Sequence, residues 1–195
     1  MVEGVDGSGK STLIKAVVAR LEQLKGLKNI KVVADGEALI PTHPKHPSRL
    51  TPIQLIEQLN EMVKDDSTVY VCDRGPISDI IYRTFDEHDP LLNLGELFTY
   101  WIGWVNRIVI VYCNSTNSEE LMLARGDDNP IAIEHHKQLR YLFSQVMSMF
   151  STFEYDVATM GDKMPDAVNT ILAKLWAGIE RHNTLSRWDE AEQIK

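Results

Sequence analysis

Near the front of the chain, Gly4 to Ser11 read Gly-Val-Asp-Gly-Ser-Gly-Lys-Ser, a complete match to G-x-x-x-x-G-K-[ST]. This spacing constrains the fold more than any other feature of the sequence. Glycines let successive backbone N–H groups turn inward around a phosphate, where side chains would obstruct them. A helix starting at the lysine adds unpaired N–H groups and the positive end of its dipole. Such a loop needs a helix behind it. Leu13, Ile14, Val17, Val18, Leu21 and Leu24 supply the apolar stripe of one over residues 10–25, with Gly26 as its stop. It also needs a strand in front, and there only Met1-Val2-Glu3 stand, against about five residues for an average strand. Either the first strand is short or this start lies inside a longer natural one; a strand present but shortened, at some loss of heat stability, is expected. Gly4, Asp6, Gly7, Ser8, Gly9, Lys10, Ser11 and Thr12 are the expected nucleotide-phosphate contacts. Lys10 would reach the β- and γ-phosphates, and the Ser11 hydroxyl would ligate Mg²⁺.

Further along, short apolar runs alternate with helical patterns. Ile30 to Ala34, Thr68 to Cys72, the run 107–113 and the run 153–160 read as buried strands. Helices are expected from Pro52, capped by Thr51, to about Lys64, from Pro76 to about Phe85, and over 96–105, 131–150 and 165–180. A separate short polar helix is expected in the tail from Ser186. The three prolines of Pro-Thr-His-Pro-Lys-His-Pro, beginning at Pro41, make that stretch loop. Strands alternating with helices predict an α/β fold, a parallel sheet covered on both faces. Such sheets place ligands at the carboxyl ends of their strands, here just after Val2, Ala34, Cys72, Cys113 and Ala158.

The stretch from Val69 to Arg83, Val-Tyr-Val-Cys-Asp-Arg-Gly-Pro-Ile-Ser-Asp-Ile-Ile-Tyr-Arg, puts Asp73 and Arg74 at that ligand edge. Asp73 is expected to hold Mg²⁺, directly or through water, and Arg74 to fork onto a phosphate of the acceptor. The net charge of −8 argues against broad attraction to DNA or anionic membrane, so an anion must be gripped by local donors. No apolar run approaches the roughly 20 residues that cross a bilayer. The front of the chain is not patterned as a signal peptide, and two isolated cysteines, Cys72 and Cys113, give no disulfide framework. A cytoplasmic setting is expected.

On these residues the sequence resembles the thymidylate kinase family. Glu3-Gly4 with the phosphate loop looks like that family's first motif; Asp73-Arg74 with Ser78 and Tyr82 looks like its second. Arg125 with Asp127 or Asp128, then Ile133-Glu134 and a long helix, is similar to its lid region. The resemblance implies one domain over 1–195 of the P-loop NTPase type, three layers around a five-stranded parallel sheet, a lid at about 124–136 and a helical C-terminal tail. It implies transfer of the γ-phosphoryl group of ATP, with Mg²⁺, to a (deoxy)nucleoside monophosphate, dTMP or a related pyrimidine nucleotide. Asp6 would touch the acceptor's sugar hydroxyl, Arg74 its phosphate, and Arg125 would be the lid cation; Lys10, Asp73, Arg74 and Arg125 form the catalytic set. It also implies a homodimer.

The sequence departs from the family pattern at Asp35-Gly36-Glu37, after the second strand, and at Gly75, where a tyrosine usually stands. A monophosphate acceptor needs no general base, whereas a hydroxyl acceptor does. Asp35 and Glu37 sit where the similar deoxynucleoside kinase family keeps a catalytic glutamate, so a kinase acting on a nucleoside or modified-base hydroxyl is the alternative. Arg49, in the basic loop with His43, Lys45 and His46, is a further candidate for acceptor phosphate. Tyr100, Trp101 and Trp104 are expected to pack the core or a subunit face, and His135 and His136 to face solvent or the lid hinge.

Overall fold

The computed structural model describes residues 1–24, 29–33, 52–65, 67–86, 99, 107–126, 130–150, 152–155 and 163–192. In chain order these form β1 (Val2–Glu3), α1 (Lys10–Glu22), β2 (Asn29–Val33), α2 (Pro52–Lys64), β3 (Thr68–Cys72) and α3 (Pro76–Asp86). There follow β4 (Ile110–Cys113), α4 (Ser118–Arg125), α5 (Pro130–Met147), β5 (Thr152–Tyr155) and α6 (Met164–Glu192). All strand pairing is parallel.

Alternation along β4 shows why both faces need cover. Ile110 and Tyr112 enter one core, with Ile56 and Leu59 of α2, Ile80 of α3 and Phe143 of α5. Val111 and Cys113 enter the other, with Leu13 and Val17 of α1 and Ile171 of α6. All four β4 residues are buried, which is why this strand reads as an unbroken apolar run. Each large apolar side chain so covered contributes about 1.5–3 kcal/mol before the entropy of ordering it.

The expected single five-stranded sheet is not what the chain builds. β1, β4 and β5 form one sheet in the order β1-β4-β5, and β2 and β3 form another. The seam falls between β1 and β3, where one parallel bridge joins Val2 to Asp73 and the Arg74 N–H donates to the Val2 carbonyl at 2.9 Å. A two-residue β1 is too short to make a ladder on both of its edges, so the central position of the sheet is only half built.

Other boundaries also differ. The separate tail helix does not exist: α6 runs unbroken from Met164 to Glu192, because nothing between 180 and 186 interrupts the helix. α4, which the apolar pattern did not flag, occupies Ser118–Arg125 and ends on Gly126 at φ 70°. Of the expected lid, residues 124–126 close α4 and 130–136 open α5; 127–129 lie outside the described residues. The helix expected over 96–105 lies outside them too, except for Thr99, and so do the carboxyl ends expected at Ala34 and Ala158. Among the described residues no helix is long and apolar enough to cross a membrane.

Candidate active site

The loop between β1 and α1 is shaped by close approaches. Gly7 has φ 76°, and a Cβ there would stand 2.0 Å from the Ser118 carbonyl oxygen at the start of α4. No side chain fits. Gly9 is the N-cap of α1 in the left-handed conformation, and no side chain caps the helix. The Thr12 N–H already meets the Gly9 carbonyl at 3.1 Å, and the Lys10 and Ser11 N–H groups ahead of it are the ones an anion could use. Ser8 is fully buried and its Oγ has no hydrogen-bond partner, while Ser11 and Thr12 are exposed at the mouth.

Lys10 is buried, and its Nζ donates to the Val5 carbonyl at 2.8 Å. Burial, reinforced by the neighbouring Arg74 cation, lowers its pKa to about 8, against the support of Asp6 and Asp73. A desolvated ammonium folded back on its own loop is a cation with unspent capacity for phosphate.

β3 delivers the second half of the site. Asp73 follows its last residue and is tied to β2 by its N–H on the Val33 carbonyl, at 2.8 Å. Arg74 comes next with φ 67°, the one non-glycine residue at positive φ among those described. That turn aims its side chain back across the sheet edge. Arg74 Nη1 donates to the Gly4 carbonyl at 2.9 Å and to Ser78 Oγ at 3.3 Å, and Nη2 pairs with the Asp6 carboxylate. Ser78 and Tyr82 lie one turn apart on α3, so they share the face that meets Arg74. The Tyr82 hydroxyl donates to Asp6 Oδ2 at 2.9 Å, and the guanidinium carbon sits 4.8 Å from the Tyr82 ring centroid. Phe143 of α5 props that ring edge-on, with centroids 6.1 Å apart.

These contacts set the charge states. Burial alone would raise the Asp6 pKa, but Arg74, Lys10 and the Tyr82 hydroxyl outweigh it and hold the carboxyl below its ordinary value. Tyr82 is pushed up to about 12, by burial first and by the Asp6 carboxylate, with Arg74 opposing. The hydroxyl stays protonated.

Asp6, Lys10, Asp73, Arg74, Ser78 and Tyr82 therefore converge on the phosphate loop. Arg125 is the exposed last residue of α4. Asp35, Glu37 and Arg49 lie outside the described residues, as do His43, Lys45, His46, Tyr100, Trp101 and Trp104. Two participants lie outside the expected site residues, although Glu3 opens the first motif. Glu3, fully buried, accepts a hydrogen bond from Ser78 Oγ. Its signal was a carboxylate inside an otherwise apolar strand. A Cβ at Gly75 would stand 3.1 Å from Glu3 Oε1 and 2.2 Å from Met1 Sδ, so a larger residue there would displace the Met1 side chain. His136, expected with His135 to face solvent or the lid hinge, is buried next to the kink that α5 makes at His135, with Nε2 3.4 Å from the Asp6 carbonyl.

The donor set fits a nucleotide with Mg²⁺: a glycine cradle, an uncapped helix start, an orphaned Ser8 hydroxyl, a buried lysine, and the Ser11 hydroxyl and Asp73 carboxylate as metal oxygens. Mg²⁺ is ordinarily held by one or two protein oxygens together with phosphate and water, so no larger carboxylate cluster is required.

Fold and loop together define an α/β chain with parallel strands and a glycine-rich turn leading from the first strand into the first helix. The YorR protein of Bacillus subtilis, solved in complex with phosphorylated GDP, is similar in structure, with a TM-score of 0.63 over 93% of this chain and 96% of that one. At 20% sequence identity this likeness is one of fold. No protein-family model matches the chain. No curated protein sequence matches it either.

Proposed function

We propose that this protein is a Mg²⁺- and ATP-dependent nucleoside monophosphate kinase, moving the γ-phosphoryl group of ATP to the phosphate of a (deoxy)nucleoside monophosphate. The observation that carries this reading is the cluster of Asp6, Arg74, Ser78 and Tyr82 beside the loop. It sets a guanidinium and a carboxylate side by side, as the phosphate and sugar hydroxyl of an acceptor require. Asp6 is held below its ordinary pKa by its neighbours, which makes it a poor general base. A phosphate acceptor needs none.

In this mechanism the loop N–H groups and Lys10 grip the β- and γ-phosphates of ATP. Arg74 turns from Asp6 to the acceptor phosphate, and Asp6 is released to the sugar. Mg²⁺ held by Ser11 and Asp73 would supply charge neutralisation at the transferring group. Phosphoryl transfer rests on positioning and on neutralising charge in a loose transition state, and Arg125 is the candidate lid cation for that step. The resemblance to thymidylate kinases favours dTMP or a related pyrimidine nucleotide, and the YorR complex adds guanine nucleotides to the acceptors worth testing.

The test is product analysis with ATP, Mg²⁺ and each nucleoside monophosphate, dTMP and dGMP included. A diphosphate from at least one is expected. Formation of none sinks the reading.

A further inference from the structure

Three consecutive carbonyls at the front of the phosphate loop each meet a side-chain donor, and each donor comes from a different part of the fold. The Gly4 carbonyl accepts from Arg74 Nη1 at 2.9 Å, and the Val5 carbonyl from Lys10 Nζ at 2.8 Å. The Asp6 carbonyl meets His136 Nε2 of α5 at 3.4 Å, a longer contact than the other two. A carbonyl only accepts, so Nε2 is the ring nitrogen that carries the proton toward it. In the mechanism above, Arg74 turns to the acceptor phosphate and Lys10 to the phosphates of ATP. His136 has no such second task, so of these three donors it is the one that stays on the loop backbone.

The imidazole is firmly seated. Ala132, His136, Leu139 and Phe143 are buried at helical spacing along α5, so the ring occupies a place in an otherwise apolar stripe. A leucine would fill that place without the cost of burying a polar ring, which is repaid only where its N–H is answered. At the other end of the peptide that His136 holds is the Gly7 N–H. That peptide is trans, and a planar trans peptide points its C=O and its N–H in opposite directions. Gly7 is buried, and its N–H finds no acceptor among the described residues. A buried donor turned away from α5 with nothing to meet it suits an anionic oxygen.

We propose that His136 is a positioning residue for phosphate: by holding the Asp6 carbonyl it keeps the Asp6–Gly7 peptide turned so that the Gly7 N–H meets the terminal phosphates of the nucleotide. This rests on the nucleotide-binding reading above and gives that site a residue from α5. The hold is needed because the peptide is easily turned over. Rotation takes opposed changes in ψ of Asp6 and φ of Gly7, and glycine accepts either sign of φ. A turned peptide would present the Asp6 carbonyl oxygen to the phosphates, replacing a donor with a repelling dipole. The effect falls on phosphate and leaves the nucleoside alone.

The experiment is titration calorimetry of the full chain with ATP and with inorganic tripolyphosphate, each with Mg²⁺, in the parent, His136→Leu, His136→Asn and His136→Gln. Leucine removes the donor, asparagine carries an amide too short to reach Asp6, and glutamine brings its amide nitrogen near the place of Nε2. His136→Leu and His136→Asn are expected to weaken both ligands about tenfold, as for the loss of one hydrogen bond, and His136→Gln to stay within about threefold of the parent. Ligand-free melting should rank differently, with leucine at or above glutamine, because the stripe around it is apolar. Should the leucine variant not fold, asparagine against glutamine carries the comparison. Parent affinity kept in His136→Leu or His136→Asn overturns the proposal, and so does affinity that only follows melting temperature. Weakened ATP with unchanged tripolyphosphate would put His136 on the nucleoside, and overturns it too. A parent that binds neither ligand overturns the nucleotide-binding reading and this proposal together; a parent that binds both, with no difference among the variants, overturns this proposal alone.

Discussion

Arg74 Nη1 donates to the Gly4 carbonyl at 2.9 Å, joining the turn after β3 to the first residue of the phosphate loop. The same guanidinium pairs with Asp6, so one side chain spans the seam at which the two sheets are otherwise joined by a single bridge. Arg74 is thus both a candidate acceptor ligand and a brace.

Loss of that brace should be measurable. The Arg74 and Asp6 side chains are 9% and 22% exposed, so solvent screens the pair only weakly. Arg74→Ala is expected to cost about 2–3 kcal/mol by leaving the Asp6 carboxylate without its cation, lowering the melting temperature by about 5–10 °C. Arg74→Gly loses the same pair but relieves the positive φ, worth about 1 kcal/mol. It should melt about 2–4 °C above the alanine variant. In kinetics, Arg74→Ala should weaken acceptor use far more than ATP use; equal losses would contradict the assigned role. Because the Asp6 pKa is lowered in the fold, the pair's stabilisation is complete above about pH 4 and disappears as pH falls through the folded value. An acid titration of parent and Arg74→Ala should converge there.

Lys10 presents the opposite balance. Its folded pKa of about 8 lies below its ordinary value of 10.5, so its burial penalty is fully present below about pH 8 and fades as pH rises toward 10.5. Lys10→Met is expected to melt about 3–6 °C higher than the parent at pH 7, with the gap closing by pH 10. Turnover should fall by roughly a thousandfold, since transition-state charge loses its main protein cation. A stable variant with intact turnover would remove Lys10 from the mechanism.

Nucleotide binding should take up a proton in mildly alkaline solution. Phosphate beside Lys10 restores the charged ammonium that burial disfavours, so the bound state holds a proton the free state has lost. Titration calorimetry at pH 8.5, in buffers of different ionisation enthalpy, should show net uptake. Lys10→Met should abolish it.

Gly7 tests the loop's fit against α4. An alanine Cβ would meet the Ser118 backbone carbonyl, at a φ that disfavours any side chain. Gly7→Ala is expected to cost about 3 kcal/mol or more and to eliminate nucleotide binding. Gly126→Ala shares the positive φ but faces open space, and should cost only about 1 kcal/mol with binding kept. Calorimetric melting and nucleotide titration of both variants separate clash from conformation.

The sequence alone determined what depends on neighbours along the chain. A glycine-rich turn closing on Lys10, an apolar stripe down α1, and unbroken apolar runs at β3 and β4 are written in consecutive residues, because backbone conformation and burial periodicity act over a few positions. Ser78 and Tyr82 on one face of α3 follow from helical spacing in the same way. The tertiary structure alone decided what depends on distant segments. It closed Arg74 onto Asp6 and Gly4, buried Glu3 against Ser78 and His136 against the loop, and split the sheet at β1. The physical reason is that buried charge must find partners wherever the chain brings them, and a strand's pairing depends on both neighbours, which no local window contains.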